Sequence, residues 1–157
     1  MKSIFFYETE LGKIGIREDG GAITHVFFPG EATPKGAVVL ETGLIKEASG
    51  QLQDYLAGRR KTWSLPLAPA GTEFMCRVWD ELRAIPYGET RTYKEVADHA
   101  GNPNASRAVG LACNRNPIPL FIPCHRVIGS NGNLTGYRGG LTVKALLLNR
   151  EKHHESL

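Results

Sequence analysis

Cys124 is the residue of this sequence best suited to nucleophilic chemistry. It follows Pro123 in a predicted turn, and His125 and Arg126 come directly after it. The thiolate is the reactive form of cysteine, and nearby cations lower the pKa of a thiol from about 8.5. Adjacent residues rarely point the same way, so adjacency alone does not make a catalytic pair, and a third group is usually needed to orient a histidine base. Glu151, at the end of the last predicted helix, is a candidate for that group.

The other two cysteines are predicted to be structural. Cys76 lies in a predicted helix beside Trp79, and Cys113 lies among small residues in another helix, so both are expected to be core thiols. The cysteines lack the paired spacing of a zinc site, so a metal centre is a weak alternative and none is expected. Three cysteines without paired spacing also argue against a disulfide framework and indicate a reducing compartment.

Helices are predicted to surround these residues in the second half of the chain. Thr72 is expected to cap a helix over residues 72–82. Thr92, with Glu95 three residues later, fits a capping box at the start of a helix over residues 93–100.

A further helix is predicted after the break at residues 101–103, with Asn104 as its cap and Arg115 at its end. Helix, glycine-containing turn and helix is the pattern of a helix-turn-helix. The second of these helices is rich in small residues, which allow close approach to another backbone, although packing on the neighbouring helix also explains them. Residues 120–122 are predicted as a short strand, and residues 135–140 as a glycine-rich loop before the last helix.

The first half of the chain is predicted to be a small sheet with one helix. Alternating apolar residues predict three strands, over residues 3–7, 12–17 and 22–28, with a hairpin turn at residues 18–21. Helical spacing of apolar residues extends over residues 40–56 and stops at Gly58. His25 is a lone histidine on a strand, so it is expected to be packed or exposed rather than a ligand.

Charge divides the chain at its proline-rich stretch, residues 65–69. The chain has 157 residues and a net charge of +3, but residues 1–68 sum to zero and residues 69–157 carry the whole excess. From Arg91 to Lys144, both included, there are seven lysine or arginine residues and two aspartate or glutamate residues. Such a basic region suggests a surface that faces a polyanion, although a solvated face is the simpler interpretation. We therefore predict two domains, residues 1–68 and residues 69–157.

Composition excludes several classes of protein. Hydrophobic residues make up 41% and charged residues 22%, as in globular proteins. No stretch approaches the roughly 18 apolar residues of a spanning helix, so no membrane partner is expected. The N-terminal apolar run meets Glu8 and Glu10, unlike a signal peptide, and a cytoplasmic location is expected.

The segment Pro123-Cys124-His125-Arg126-Val127 resembles the PCHRV motif of the O6-alkylguanine-DNA alkyltransferases, also called methylated-DNA–protein-cysteine methyltransferases. The likeness covers roughly residues 70–152 in order and spacing. Its other elements are Thr90-Arg91-Thr92-Tyr93, residues 100–103, Ser106-Arg107-Ala108-Val109-Gly110, residues 114–119, Gly136-Tyr137-Arg138-Gly139-Gly140 and residues 147–151.

The resemblance implies an α+β fold: a small N-terminal sheet-plus-helix domain of ribonuclease H-like type, then a mostly helical C-terminal domain with a helix-turn-helix. It implies DNA repair by direct reversal, in which Cys124 takes the alkyl group of a flipped-out O6-alkylguanine and keeps it as a thioether, so that each molecule acts once. O4-alkylthymine is a second candidate substrate. No cofactor is implied, and we expect a monomer on double-stranded DNA.

The same resemblance assigns roles to residues of this chain. His125 corresponds to the general base, acting on the Cys124 thiol through a bridging water, and Glu151 to the carboxylate that orients it. Tyr93 corresponds to the tyrosine that protonates the departing guanine at N3.

A second group of residues is implied to shape the pocket. Asn116 corresponds to the asparagine that braces the turn before the active site. The backbone at Cys124 and Val127 would accept from the guanine amino group, and Pro119 would form the wall on the alkyl side. The loop with Tyr137 and Arg138 would close over the base.

Arg107 corresponds to the finger that enters the stack in place of the flipped nucleotide. The small residues Ala105, Ser106, Ala108 and Gly110 then fit a helix that lies close in the minor groove, where readout is degenerate. The basic region between Arg91 and Lys144 would supply phosphate contacts.

The chain departs from the pattern of some family members in three respects. Arg138 stands where some members have serine, which removes one hydroxyl donor to O6 and puts the tolerance of bulky alkyl groups in doubt. Some members bind zinc in the first domain, but no cysteine precedes Cys76, so no such site is expected. At 157 residues, the chain is also expected to lack the fused regulatory domain of other members.

Three alternatives remain open at this point. A lesion-binding relative without transfer activity has the same fold but usually lacks the cysteine. A helix-turn-helix transcription factor normally has a polar, base-reading second helix. A cysteine hydrolase using Cys124 and His125 would turn over an ester or amide.

Overall fold

The computed structural model describes residues 1–154. The chain forms two compact units, the first spanning Met1–Pro69 and the second beginning at Ala70. Of the helices in residues 1–154, none has the length and apolar character needed to cross a membrane.

The first unit is built on a four-stranded sheet in the order β3-β2-β1-β4. Its strands are β1 (Lys2–Thr9), β2 (Gly12–Asp19), β3 (Ala22–Phe27) and β4 (Val38–Val39). The first three are antiparallel neighbours and confirm the predicted strands, whereas β4 runs parallel to β1 and was not predicted. The hairpin between β2 and β3 turns at Gly20 and Gly21, whose positive φ angles of 61° and 88° favour glycine.

One helix, α1 (Gly43–Leu56), covers this sheet and confirms the predicted helix, although it begins three residues later. Its N-cap is Thr42, whose hydroxyl accepts from the backbone of Ile45 at 3.2 Å. His25 stacks on Phe27 with ring centroids 5.5 Å apart, so it is a packing residue of the sheet.

The second unit is mostly helical. Its elements are α2 (Glu73–Arg83), β5 (Arg91–Thr92), α3 (Tyr93–His99), α4 (Ser106–Asn114), a 3₁₀ turn (Cys124–Arg126), β6 (Val127–Ile128) and α5 (Leu141–His154). The two short strands pair in parallel and join the start of α3 to the segment just after Cys124.

Both predicted threonine caps are confirmed. Thr72 accepts from the backbone of Met75 at 3.2 Å. At the start of α3, the Thr92 hydroxyl accepts from the backbone of Glu95 at 3.1 Å, and the Glu95 carboxylate accepts from the backbone of Thr92 at 3.0 Å. This capping box fixes the first turn of α3, where Tyr93 is the first residue.

The predicted cap of α4 is wrong. The N-cap position belongs to Ala105, whose methyl side chain cannot accept a hydrogen bond. Asn104 instead donates its backbone N–H to the side chain of Asn102 at 3.2 Å, so the asparagine that shapes this turn lies two residues earlier.

The predicted strand over residues 120–122 is also wrong. Leu120 has a φ of 76°, and Ile122 donates its backbone N–H to the carbonyl of Ile118 at 2.9 Å, so the chain makes a tight turn there. Prolines at 117, 119 and 123 remove the donors that a strand needs, and this signal outweighs the apolar run.

Trp79 anchors the core of the second unit. Its side chain is buried, and its indole N–H donates to the carbonyl of Ala112 at 2.9 Å, which satisfies a carbonyl in the last turn of α4. The small residues on this side of α4 therefore let α2 approach closely. Cys76, expected in the core, is only half-buried, and its thiol lies 3.8 Å from the carbonyl of Gly71.

Candidate active site

The turn that presents Cys124 is held by Asn116. The Asn116 amide donates to the carbonyl of Ile122 at 2.8 Å, and its oxygen accepts from the backbone of Ile118 at 3.0 Å. The carbonyl of Ile122 also accepts from the backbone N–H of Cys124 at 2.8 Å. A single buried side chain thus supports the left-handed backbone of Leu120 and connects the end of α4 to the nucleophile.

The Cys124 thiol is buried, with 6% of the residue exposed. Burial raises its pKa above the ordinary value, and the side-chain hydrogen bond from Asn116 and the cations of Arg138 and Lys144 oppose that rise only in part. The thiol is therefore protonated at neutral pH and needs a base before it can attack.

His125, the expected general base, is bonded to a carboxylate. Its Nε2 lies 2.7 Å from Oε2 of Glu151, and both side chains are buried. Because an ionised carboxylate only accepts, Nε2 carries the proton and the lone pair resides on Nδ1. Burial lowers the pKa of His125, and the hydrogen bond and charge of Glu151 oppose that shift in part, so the ring is neutral at pH 7.

Arg126 completes this cluster and was missed as a site residue. Its Nε and Nη2 donate to the two oxygens of Glu151 at 2.8 and 3.0 Å, and its Nη1 donates to the carbonyl of Ile85 at 2.8 Å. Burial would raise the pKa of Glu151, but His125 and Arg126 outweigh it and hold that pKa well below its usual range. The only sequence signal was the position of Arg126 beside His125.

Tyr93 projects from the first turn of α3, and its phenol oxygen lies 2.5 Å from Oγ1 of Thr135. Burial raises the pKa of Tyr93, the Thr135 hydrogen bond lowers it in part, and the neighbouring Cys113 and Cys124 side chains raise it further. The phenol therefore keeps its proton at neutral pH and can donate it.

Lys144 is a second residue that was not recognised as part of the site. Its ammonium donates to the carbonyl of Val127 at 2.7 Å and to the carbonyl of Thr135 at 3.0 Å. Only 1% of the residue is exposed, and desolvation lowers its pKa. Lys144 and the buried Arg126 were counted in the basic region expected to contact phosphates; since both are buried and bonded internally, that part of the expectation is wrong.

The loop before α5 lies against this cluster through two residues. Nη1 of Arg138 donates to the carbonyl of Asn116 at 2.6 Å. The ring of Tyr137 meets that of His125 edge-on, with centroids 6.4 Å apart. Pro119, the expected wall on the alkyl side, is buried, and so is Val127, whose backbone is expected to accept from the guanine amino group.

The remaining expected site residues lie on α4. Arg107 and Ala108 are exposed, Ala105, Ser106 and Gly110 are half-buried, and Val109 and Ala112 point into the core. A cleft of about 420 Å³ runs between α4, α3 and the loop, and its lining includes Tyr93, Ser106, Arg107, Gly110, Thr135 and Gly136. The cleft therefore joins the exposed arginine of α4 to the phenol of Tyr93.

No group of three or more histidine, cysteine, aspartate or glutamate residues within residues 1–154 could hold a metal ion.

Two family models match the chain, and together they span most of it. The model described as "6-O-methylguanine DNA methyltransferase, ribonuclease-like domain" matches residues 5–69. The model described as "6-O-methylguanine DNA methyltransferase, DNA binding domain" matches residues 73–153.

Similar proteins carry the same description. A methylated-DNA–protein-cysteine methyltransferase of Methanosarcina acetivorans is 50% identical over 149 residues, covering 92% of this chain and 95% of that protein. The constitutive enzyme of that description from Bacillus subtilis is 49% identical over 152 residues, covering 92% of each chain. A crystal structure of Mycobacterium tuberculosis OGT in complex with DNA superposes with a TM-score of 0.92 at 39% identity, covering 97% of this chain and 94% of that one.

This fold and this group of buried side chains thus occur in a chain whose relatives are named methylated-DNA–protein-cysteine methyltransferases. The chain belongs to the methylated-DNA–protein-cysteine methyltransferase family.

Proposed function

We propose that this protein repairs DNA by moving the alkyl group of O6-alkylguanine onto Sγ of Cys124, once per molecule. The observation that carries the proposal is the buried Cys124 thiol in one turn with His125, whose ring is bonded to Glu151, in a chain half identical to named methyltransferases. Double-stranded DNA is the partner, in keeping with the family's DNA-binding domain over residues 73–153.

The chemistry is a single displacement. Nδ1 of His125 takes the thiol proton through a water, and Sγ of Cys124 attacks the alkyl carbon as the bond from that carbon to O6 breaks. A thioether forms and guanine leaves with the electron pair of the broken bond. Because a thioether does not hydrolyse, the protein is consumed. The raised pKa of Cys124 explains why the base is needed, and the ionised Glu151 stabilises the imidazolium that forms.

Tyr93 protonates the leaving guanine at N3. A guanine anion is a poor leaving group unless it is protonated or hydrogen-bonded, and a phenol with a raised pKa keeps a proton for this step. The hydroxyl of Thr135 orients the phenol of Tyr93. When this hydroxyl donates its hydrogen to the phenol oxygen, the phenolic proton stays available for N3 of the guanine.

The flipped base is held by backbone groups. The Val127 carbonyl accepts from the guanine amino group with one lone pair, since Lys144 occupies the other. The loop with Tyr137 and Arg138 covers the base, with backbone N–H groups near O6, and Pro119 forms the alkyl side of the pocket. Asn116 braces the turn that carries the nucleophile.

Helices α3 and α4 act as a helix-turn-helix that enters the minor groove. The exposed Arg107 enters the stack and fills the place of the flipped nucleotide. Ala105, Ser106, Ala108 and Gly110 allow close approach to the groove. Exposed basic side chains, among them Lys94 and Arg115, contact the phosphates, whereas the buried Arg126 and Lys144 do not.

The two domains have different roles in this proposal. Residues 69–157 form the alkyltransferase domain, and residues 1–68 form a ribonuclease H-like scaffold. The DNA substrate and three unpaired thiols favour the cytoplasm as the place of action. O4-alkylthymine is a second candidate substrate, because it offers the same kind of alkyl carbon on an exocyclic oxygen.

Incubation with a duplex that contains one O6-methylguanine tests the proposal. The intact mass of the protein should rise by one CH₂ unit, to no more than one unit per molecule, with loss of the lesion from the duplex. Binding without a change of mass would support a lesion-binding protein instead. Continued product formation beyond one equivalent would contradict single-turnover transfer.

A further inference from the structure

The side chain of Arg138 bonds to the backbone of Asn116, a contact that has no part in the transfer steps proposed above. It lies in the loop between β6 and α5, and its Nη1 donates to the carbonyl of Asn116 at 2.6 Å. The guanidinium is half-buried rather than extended into solvent. A planar, permanently charged donor suits such a partly buried bond to a carbonyl.

The acceptor of this bond belongs to the residue that supports the nucleophile. Asn116 holds the carbonyl of Ile122 through its amide, and that same carbonyl accepts from the backbone N–H of Cys124. Arg138 therefore connects the covering loop to the turn of Cys124 through one intervening residue.

We propose that Arg138 is a positioning residue for Cys124: its hydrogen bond to Asn116 fastens the covering loop, and the cation that the loop carries, to the turn of the thiol. The inference rests on the proposed transfer to Cys124 and extends it to a residue that departs from the serine of other family members.

The charge of Arg138 favours the thiolate over the thiol. Burial of Cys124 raises its pKa, and Arg138 is one of two cations that oppose this rise, together with Lys144. A cation held by a fixed hydrogen bond keeps this effect constant, whereas a flexible surface arginine would spend most of its time in water. Arg138 thereby makes the proton easier for His125 to remove.

The test measures methylation of Cys124 by methyl iodide as a function of pH, followed by peptide mass spectrometry. This probe carries an alkyl group of the size of the lesion and needs no DNA. In Arg138→Gln we expect the pH midpoint of the reaction to rise and the rate at pH 7 to fall about threefold to tenfold, since a tenfold change equals one pKa unit. Arg138→Lys, which retains the charge, should restore most of the rate.

Arg83→Gln is the matched control, because it removes the same charge from an exposed site in the last turn of α2. Equal midpoints in wild type and Arg138→Gln, or equal shifts in both glutamine variants, would overturn the inference. A lysine variant that behaves like the glutamine variant would overturn the role of the charge.

Transfer from an O6-methylguanine duplex is measured in parallel. A wild-type protein that gains no mass from the duplex contradicts the proposed function, whatever methyl iodide does. A wild-type protein that gains mass, with an unchanged midpoint in Arg138→Gln, contradicts only the role of Arg138.

Discussion

Nε2 of His125 lies 2.7 Å from Oε2 of Glu151, and neither side chain has more than 1% of its surface exposed. Two residues that are 26 positions apart in the sequence thus form a buried pair, and one of them, His125, directly follows Cys124 in the chain. Both oxygens of the Glu151 carboxylate also accept from Arg126. The carboxylate therefore holds a buried cation and the histidine ring at once, and in the proposed mechanism it also raises the basicity of that ring.

Glu151→Gln is expected to destabilise the protein and to slow alkyl transfer. The amide leaves the buried Arg126 cation without a counter-charge, and breaking such a pair costs about 3 kcal/mol or more of unfolding free energy. Urea unfolding at pH 7.5 measures the loss. Glu73→Gln, which removes an exposed carboxylate paired with Arg77, should change stability little.

The pH dependence of this loss has a defined sign. Because the pKa of Glu151 is lowered in the folded protein, its stabilising contribution is present above about pH 4.3 and disappears as the pH falls through the folded value. The difference between wild type and Glu151→Gln should be largest near neutral pH. A difference that grew on acidification would contradict the buried ion pair.

Arg126→Met is expected to move the acidic limb of the pH–rate profile of alkyl transfer to higher pH. The charge of Arg126 lowers the pKa of His125, so its removal raises that pKa and leaves the base protonated over a wider range. Transfer rates from pH 5 to 8 measure the limb, with Arg83→Met as the control for loss of an exposed charge. A limb that stayed in place or moved to lower pH would show that Arg126 does not tune the base.

Arg107→Ala is expected to weaken repair of duplex DNA about tenfold or more, while the reaction with free O6-benzylguanine changes little. Arg107 is exposed on α4, where it can fill the gap left by a flipped nucleotide, and the free base leaves no gap to fill. Single-turnover rates on both substrates give the comparison. Equal losses on the two substrates would argue against a finger role.

Local signals predicted much of the fold. The threonine caps of α2 and α3, the β2–β3 hairpin and the start and end of most helices follow from short-range chemistry, and the structure confirms them. Asn104 failed as a cap because the neighbouring Asn102 competes for the same turn. The strand expected over residues 120–122 failed because apolar character was given more weight than the surrounding prolines.

The site was harder to derive from residues alone. Cys124 and His125 are adjacent, but the pairing of His125 with Glu151 depends on how α5 returns to the 3₁₀ turn, which no local pattern encodes. Arg126 and Lys144 looked like surface charges because their types are usually exposed. Only the three-dimensional contacts reveal that one neutralises Glu151 and the other bonds the carbonyls of Val127 and Thr135.

The most direct measurement is a peptide map of the protein after reaction with an O6-methylguanine duplex, carried out on wild type and Cys124→Ser. The wild type is predicted to carry one methyl group on the peptide that contains Cys124, with Cys76 and Cys113 unmodified. Cys124→Ser is predicted to remain unmodified while still binding the lesion. A methyl group found on another residue, in either protein, would contradict the assignment of Cys124 as the acceptor.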